Sequence, residues 1–153
     1  MTSLGSRVIA RLLSTRWLMR IPIALFRARL GWIFGARIVM IEHRGRVSGE
    51  RRFVVVEVIQ RPEPTLIRVP SGFGRRAQWY RNLEANGVAF LSLGTRFRVP
   101  AEVRLLDETE SAERLADYAR EYPRAWPKLR DAMAVATRTA EPVIPIVEFR
   151  LQR

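Results

Sequence analysis

The chain has no cysteine, a single histidine (His43) and a single lysine (Lys128) in 153 residues. Without cysteine there is no disulfide, thiolate nucleophile, cysteine-held iron–sulfur cluster or cysteine zinc site. One histidine rules out multi-histidine metal centres, so no metal site is expected. Long hydrophobic runs are missing as well. Arg7, Arg11, Arg16, Arg20, Arg27 and Arg29 break the apolar N-terminal stretch well short of the roughly 18 to 20 residues that a spanning helix needs. The same arginines interrupt the core of a secretory signal and no small-residue cleavage site follows, so a cytoplasmic location is expected.

What is present is positive charge carried on arginine. Lysine and arginine total 27 against 15 acidic residues, a formal net charge of +12 and a pI near 11.6. Such a surface attracts polyanions, whether nucleic acid, anionic lipid or an anionic cofactor. Nearly every cation is a planar guanidinium able to grip phosphate or carboxylate through two bonds. Genomic base composition produces the same skew, so the count by itself names no partner. At 48% hydrophobic and 27% charged residues the chain suits one compact domain with its own core.

Leu4, Val8, Ile9 and Leu12 recur at helical spacing, which predicts an amphipathic helix over 4–13. A second is predicted from Pro22 to Ile33, with Pro22 in its first turn and Gly31 and Gly35 loosening its end. Residues 1–35 are thus expected to form a helical segment packed on a second unit, 36–153. There the β-rich runs 37–42, 52–60, 65–69, 88–93, 96–105 and 143–151 predict about six strands, with Arg61-Pro62-Glu63-Pro64 as a turn. Helices are predicted over 77–85, closed by Asn86-Gly87, over 107–122 and over 128–138. The connections are too short for parallel crossovers, so the expected fold is α+β, a small antiparallel barrel.

Two glycine-bracketed basic turns stand between His43 and Leu83. The first reads His43-Arg44-Gly45-Arg46-Val47-Ser48-Gly49-Glu50-Arg51-Arg52, and the second Ser71-Gly72-Phe73-Gly74-Arg75-Arg76. Gln78-Trp79-Tyr80-Arg81-Asn82-Leu83 then opens a helix. Turns of this kind offer backbone N–H groups beside guanidinium groups, which suits an anionic ligand. Arg44, Arg51, Arg52, Arg75 and Arg76 are candidates on charge and proximity. Structural readings stay open beside this one: a solvated hairpin turn, a plain strand-to-helix connection, and core packing for Trp79 and Tyr80. His43, at a strand end, reads by default as a histidine hydrogen-bonded to backbone.

Taken in order, Gly45-Arg46-x-Ser48-Gly49, Ser71-x-x-Gly74 and Trp79-Tyr80-x-Asn82-Leu83 resemble the deazaflavin-dependent nitroreductase family, a branch of the split β-barrel flavin and deazaflavin oxidoreductases. The resemblance covers roughly residues 30–150. It implies a split barrel with a site for coenzyme F420, whose phosphodiester and anionic tail lie in the two glycine turns. It also implies hydride transfer from reduced F420 to a small hydrophobic electron-poor acceptor, such as a quinone, an activated alkene or a nitro compound. Residue by residue it carries over Arg46, Ser48, Gly49, Ser71, Gly72, Gly74, Trp79 and Asn82 as cofactor contacts, with Tyr80 beside them.

Two departures bear on that expectation. Val47 stands where the family has a second basic residue, so one phosphate contact is either missing or supplied by Arg51 or Arg52. Of the family's Tyr-Pro-x-Tyr-x-x-Tyr run only Tyr122-Pro123 remains, with Ala125 and Lys128 at the other tyrosine positions. Tyr122 and Ser71 are the expected hydrogen-bond donors to the acceptor, which is itself the least transferable part.

Two other readings fit the residues. The barrel could hold FMN, haem or a lipid instead, or the chain could be a basic polyanion-binding protein without catalysis. No specific nucleic-acid partner is expected, because arginine and aromatic residues are not interleaved as in an RNA-binding motif. The N-terminal basic helices suit packing on the barrel or a peripheral membrane contact, and exposed strand edges suit a homodimer.

Overall fold

The computed structural model describes residues 16–153, so the helix expected over 4–13 lies outside the described residues. Strand β1 (Ile38–Arg44) opens on the apolar run Ile38 to Ile41 and is buried throughout its middle, Glu42 and His43 included, because both of its faces are covered. Val39 and Ile41 enter the main core, while Met40 faces the other way and packs with Phe26 and Val55. β1 pairs antiparallel with β2 (Arg51–Glu57) and β5 (Ala89–Leu93), which sets Ile41 opposite both Val54 and Leu91.

The sheet continues through β6 (Arg96–Leu105), β7 (Ile146–Leu151), β4 (Leu66–Pro70) and β3 (Gln60–Glu63). Its seven strands run in the order β2-β1-β5-β6-β7-β4-β3, every pair antiparallel. The two edge strands are consecutive in the chain. Between them the Val58 N–H donates to the Arg37 carbonyl and the Ile59 N–H to the Arg68 carbonyl. The backbone thus leaves one edge of the sheet and joins the other within two residues, and the sheet curls into a half-barrel. Ile67, Val69, Leu91, Val147 and Phe149 fill its interior.

That switch corrects the sequence reading. The run 52–60 is two strands, and most of the stretch expected as a turn at 61–64 belongs to β3. Pro62 is tolerated because β3 is an edge strand whose ladder shifts register between Gln60 and Glu63. Seven strands therefore replace about six. β7 starts later than predicted, at Ile146, because Pro142 and Pro145 have no N–H to give a ladder.

The helix predicted from Pro22 to Ile33 is instead α1, Arg16–Arg27, with Pro22 inside it. A left-handed residue, Arg29, and a 3-10 turn at Gly31–Phe34 follow. The reversal seats Phe26 under the sheet: it is 1% exposed and stacks on Phe34 with centroids 5.5 Å apart. Gly31 lies so close that a Cβ there would stand 2.3 Å from the Phe26 ring. Burying that ring is worth on the order of 2 kcal/mol, which favours the turn over a longer helix.

Helix α2 (Gln78–Asn86) sends Trp79, Tyr80 and Leu83 into the main core and ends at Gly87 in the left-handed conformation. Helix α3 (Glu108–Glu121) begins at Asp107, whose carboxylate accepts from the Glu110 N–H at 2.8 Å. With α4 (Trp126–Thr137) it forms a second core in which Leu115, Tyr118 and Met133 meet Ile59, Leu106 and Ile146. None of the described helices is long and apolar enough to cross a membrane.

Candidate functional site

Three parts of the chain meet around a cleft of about 1230 Å³. Strands β1 and β2 contribute His43, Arg51, Arg52, Phe53 and Val54. The segment entering α2 contributes Phe73 through Trp79, and the segment leaving α4 contributes Ala136 through Thr139 with Glu141, Pro142 and Val143. The second and third segments are brought together by the sheet: the Ser71 N–H donates to the Pro145 carbonyl at 2.9 Å, beside the β4–β7 pairing.

The cleft is electropositive. Arg51, Arg52, Arg75, Arg76 and Arg138 line it against one carboxylate, Glu141. Arg51 is held by Glu42, Nε to Oε1 at 2.9 Å, and Arg52 lies 3.9 Å from Glu50. Arg75, Arg76 and Arg138 make no salt bridge among the described residues. Helix α2 starts in the same wall at Ala77, which gives no side-chain cap, so its first-turn N–H groups keep their demand for an acceptor. Phe53, Val54, Phe73 and Trp79 add apolar surface.

Of the residues nominated from sequence, Arg51, Arg52, Gly74, Arg75, Arg76 and Trp79 line this cleft. Arg44, Arg46, Ser48, Gly49, Ser71, Gly72, Tyr80 and Asn82 do not. Ser71 is 0% exposed and its hydroxyl donates to the Gly74 carbonyl at 2.6 Å, while the Gly74 N–H donates back to the Ser71 carbonyl at 2.9 Å. The pair cross-braces the turn, and Gly74 takes φ 72°, which an L residue avoids. Ser48 likewise serves its own turn, accepting from the Glu50 N–H at 3.2 Å. Tyr122 caps the C-terminal end of α3 and packs on Tyr118. It is separated from the cleft end of α4 by that whole helix, about 18 Å at 1.5 Å per residue.

Asn82 and Arg46 stand behind the cleft and reach it through His43. The Asn82 Oδ1 accepts from the Arg46 backbone N–H at 3.1 Å and from its Nη1 at 2.9 Å, and Arg46 Nη2 donates to Gln78 at 2.9 Å. The Asn82 Nδ2 lies 3.0 Å from His43 Nδ1. Both Asn82 and His43 are buried. Burial, and then the positive charge of Arg52, lower the His43 pKa from 6.5 to about 4, with Glu42 pulling the other way. The imidazole is neutral near pH 7.

Sequence reasoning missed Phe53, Val54, Phe73, Ala77 and Gln78, and the whole Ala136–Val143 wall. The last of these has no local motif; only the return of β7 beside β4 brings it to the glycine turn. His43 was visible as the lone histidine, but its partner is the Asn82 side chain rather than backbone.

No protein-family model matches the chain, and no curated protein matches it in sequence. Solved structures match it in shape. An F420-H2 dependent reductase, FDR-A, superposes with a TM-score of 0.51 at 18% identity, over 74% of this chain and 94% of its own. The chain has the split-barrel fold. A second match, described as a domain-swapped dimer, gives a TM-score of 0.54 at 18% identity over 84% of this chain and 99% of its own. A third, a protein of unknown function from Agrobacterium tumefaciens, gives 0.56 at 15% identity over 86% of this chain and 55% of its own. Identities this low speak for the fold.

Proposed function

We propose that the cleft binds a deazaflavin cofactor of the F420 type and that the chain is an F420-dependent oxidoreductase acting on a small hydrophobic electron-poor acceptor. The observation that carries this reading is the union in one cleft of Arg75, Arg76, Arg138 and the uncapped start of α2 with the apolar surface of Val54, Phe73 and Trp79. A phosphodiester or carboxylate tail meets guanidinium and N–H donors there. A planar ring meets aromatic and aliphatic walls. At about 1230 Å³ the cleft also leaves space for a second small molecule beside the ring.

When bound, reduced F420 supplies a hydride from its deazaflavin ring. The chain's own residues hold the tail by charge, orient the ring against Val54, Phe73 and Trp79, and keep bulk water from its face. In this reading Arg52, Gly74, Arg75, Arg76 and Trp79 are direct contacts, while Arg51 is held by Glu42 on the other face of β1 and β2. Arg46, Ser48, Ser71 and Asn82 act by holding the two turns in shape. A homodimer belongs to the same reading, since one structure sharing the fold is described as a domain-swapped dimer.

Titration of the purified protein with F420 and with FMN, followed by oxidation of reduced F420 in the presence of a quinone, an enone or a nitroaromatic, tests this. Saturable F420 binding and acceptor-dependent oxidation are expected. Absence of saturable binding of either cofactor at moderate salt would sink the reading. Binding no tighter than that of heparin, with the same steep salt dependence, would make the chain a polyanion binder instead. Light scattering reads the oligomeric state.

A further inference from the structure

We infer that His43 presents a fixed, neutral Nε2–H donor to the cleft, aimed at a carbonyl or anionic oxygen of the bound ligand, and that Arg46 and Asn82 are the positioning residues that set it. The inference rests on the reading of the cleft as a ligand site. It starts from the Asn82 amide, whose two ends are otherwise interchangeable in shape. Arg46 offers only donors, a backbone N–H at 3.1 Å and Nη1 at 2.9 Å, so the group facing it is Oδ1. A flipped amide would aim its N–H at two other N–H groups. Nδ2 therefore faces His43, and at 3.0 Å it donates to Nδ1.

An Nδ1 that accepts carries no proton, so the single proton of the neutral ring sits on Nε2. Nε2 has no hydrogen-bond partner among the described residues, yet it is not a sealed polar atom, and His43 lines the cleft. A second proton is opposed twice. On Nδ1 it would meet the Asn82 N–H head on, and the charged groups nearby are mostly cationic: Arg46 behind Asn82, Arg52 across on β2, Arg75, Arg76 and Arg138 around the cleft, with Glu42 beside it in the chain and Glu141 in the cleft the exceptions. Burial first, and then the charge of Arg52, hold the ring pKa at about 4. A neutral imidazole of this kind donates a hydrogen bond without surrendering its proton, and so stabilises charge that builds on an oxygen as a ring or acceptor gains electrons.

Because the chain has one histidine, ¹⁵N–¹H correlation of histidine-labelled full-length protein reads this ring alone. The expected result without cofactor is the Nε2–H tautomer, unchanged from about pH 8 to about pH 5. Asn82→Asp, which offers Nδ1 an acceptor, is expected to move the proton to Nδ1 and to raise the ring pKa. A wild-type ring that titrates near its ordinary value, or that holds the Nδ1–H tautomer, overturns the inference.

Adding F420 or FMN is expected to shift the Nε2 proton signal. His43→Ala is expected to weaken binding by roughly three- to tenfold. His43→Gln, which keeps an N–H near the same place, is expected to restore most of it. Saturable binding with no change at Nε2 overturns the ligand contact but leaves the cofactor reading standing. Failure of both cofactors to bind overturns the cofactor reading and the contact with it, while the tautomer result still decides the positioning chain.

Discussion

Arg98 donates to both carboxylate oxygens of Glu42, Nε to Oε1 at 3.2 Å and Nη2 to Oε2 at 3.0 Å. Glu42 is 2% exposed, and burial works to raise its pKa. The hydrogen bonds and charges of Arg98 and Arg51 outweigh that and hold the carboxyl below its ordinary value. Arg98 reaches this position from a left-handed backbone, φ 52°, at the register shift where β5 and β6 mispair, with its N–H donating to the Ser92 hydroxyl. The bulge therefore aims a guanidinium at the one carboxylate on this face of β1.

Backbone and charge can be separated at that position. Arg98→Ala is expected to destabilise the protein by about 2–3 kcal/mol, since it leaves Glu42 with one partner and keeps the strained φ. Arg98→Gly loses the same ion pair but relieves the strain, and is expected to cost about 1 kcal/mol less. Urea unfolding of the two variants measures the difference. Equal losses would show that the bulge carries no strain.

The Ser71 hydroxyl is fully buried on the Gly74 carbonyl, so Ser71→Ala should act on stability and on the turn. A loss of about 1–2 kcal/mol is expected, with weaker cofactor binding and an almost unchanged turnover at saturating cofactor. A large fall in kcat with unaltered binding would instead make Ser71 a contact of the reacting groups.

Arg75, Arg76 and Arg138 are the cleft guanidinium groups without a salt bridge among the described residues. Each change to alanine is expected to raise the Kd for F420 by roughly three- to tenfold at low salt, and by less at high salt as screening grows. Stability should stay within about 0.5 kcal/mol of wild type. Calorimetric titration at two ionic strengths checks both points, and a salt-independent loss would argue against a charge contact with the tail.

The His43 pKa falls from 6.5 to about 4 on folding. Between those values the unfolded chain binds a proton that the folded chain refuses, so acidification favours unfolding. The stability at stake is on the order of 3 kcal/mol, present above the unfolded value and lost as pH falls towards the folded one. Burial raises the Glu57 pKa, which works the opposite way: its stabilising contribution is present in acid and fades as pH rises. Comparing wild type with His43→Gln cancels the Glu57 effect. The variant is expected to lose less stability than wild type from about pH 7 to about pH 4.5, and parallel curves would contradict the buried neutral ring.

The strands of the barrel were legible in the sequence because a β-run announces itself locally, as the apolar start of Ile38–Arg44 and the in-and-out alternation of Arg96–Leu105 do. Gly87 closes α2 where Asn86-Gly87 predicted it, for the equally local reason that glycine accepts a left-handed residue. The failures were of a different kind. The division of 52–60 into β2 and β3 depends on which neighbour each half pairs with, Arg37 on one side and Arg68 on the other, and no window of sequence contains both. Pro22 looked like a helix start because its missing N–H costs least there. Burial of Phe26 under β1 and β2 explains where the helix stops, at Arg27, and not why it continues through Pro22.

By itself the sequence determined an α+β antiparallel fold, a strongly cationic surface, the absence of cysteine chemistry, and two arginine-rich glycine turns. These follow from composition and from interactions between near neighbours. Only the tertiary structure decided that Arg75 and Arg76 share a cleft with Arg138, that Ser71 braces Gly74, and that Asn82 joins Arg46 to His43. Apart from the local Ser71–Gly74 brace, those relationships join residues tens of positions apart, which the curl of the sheet brings together.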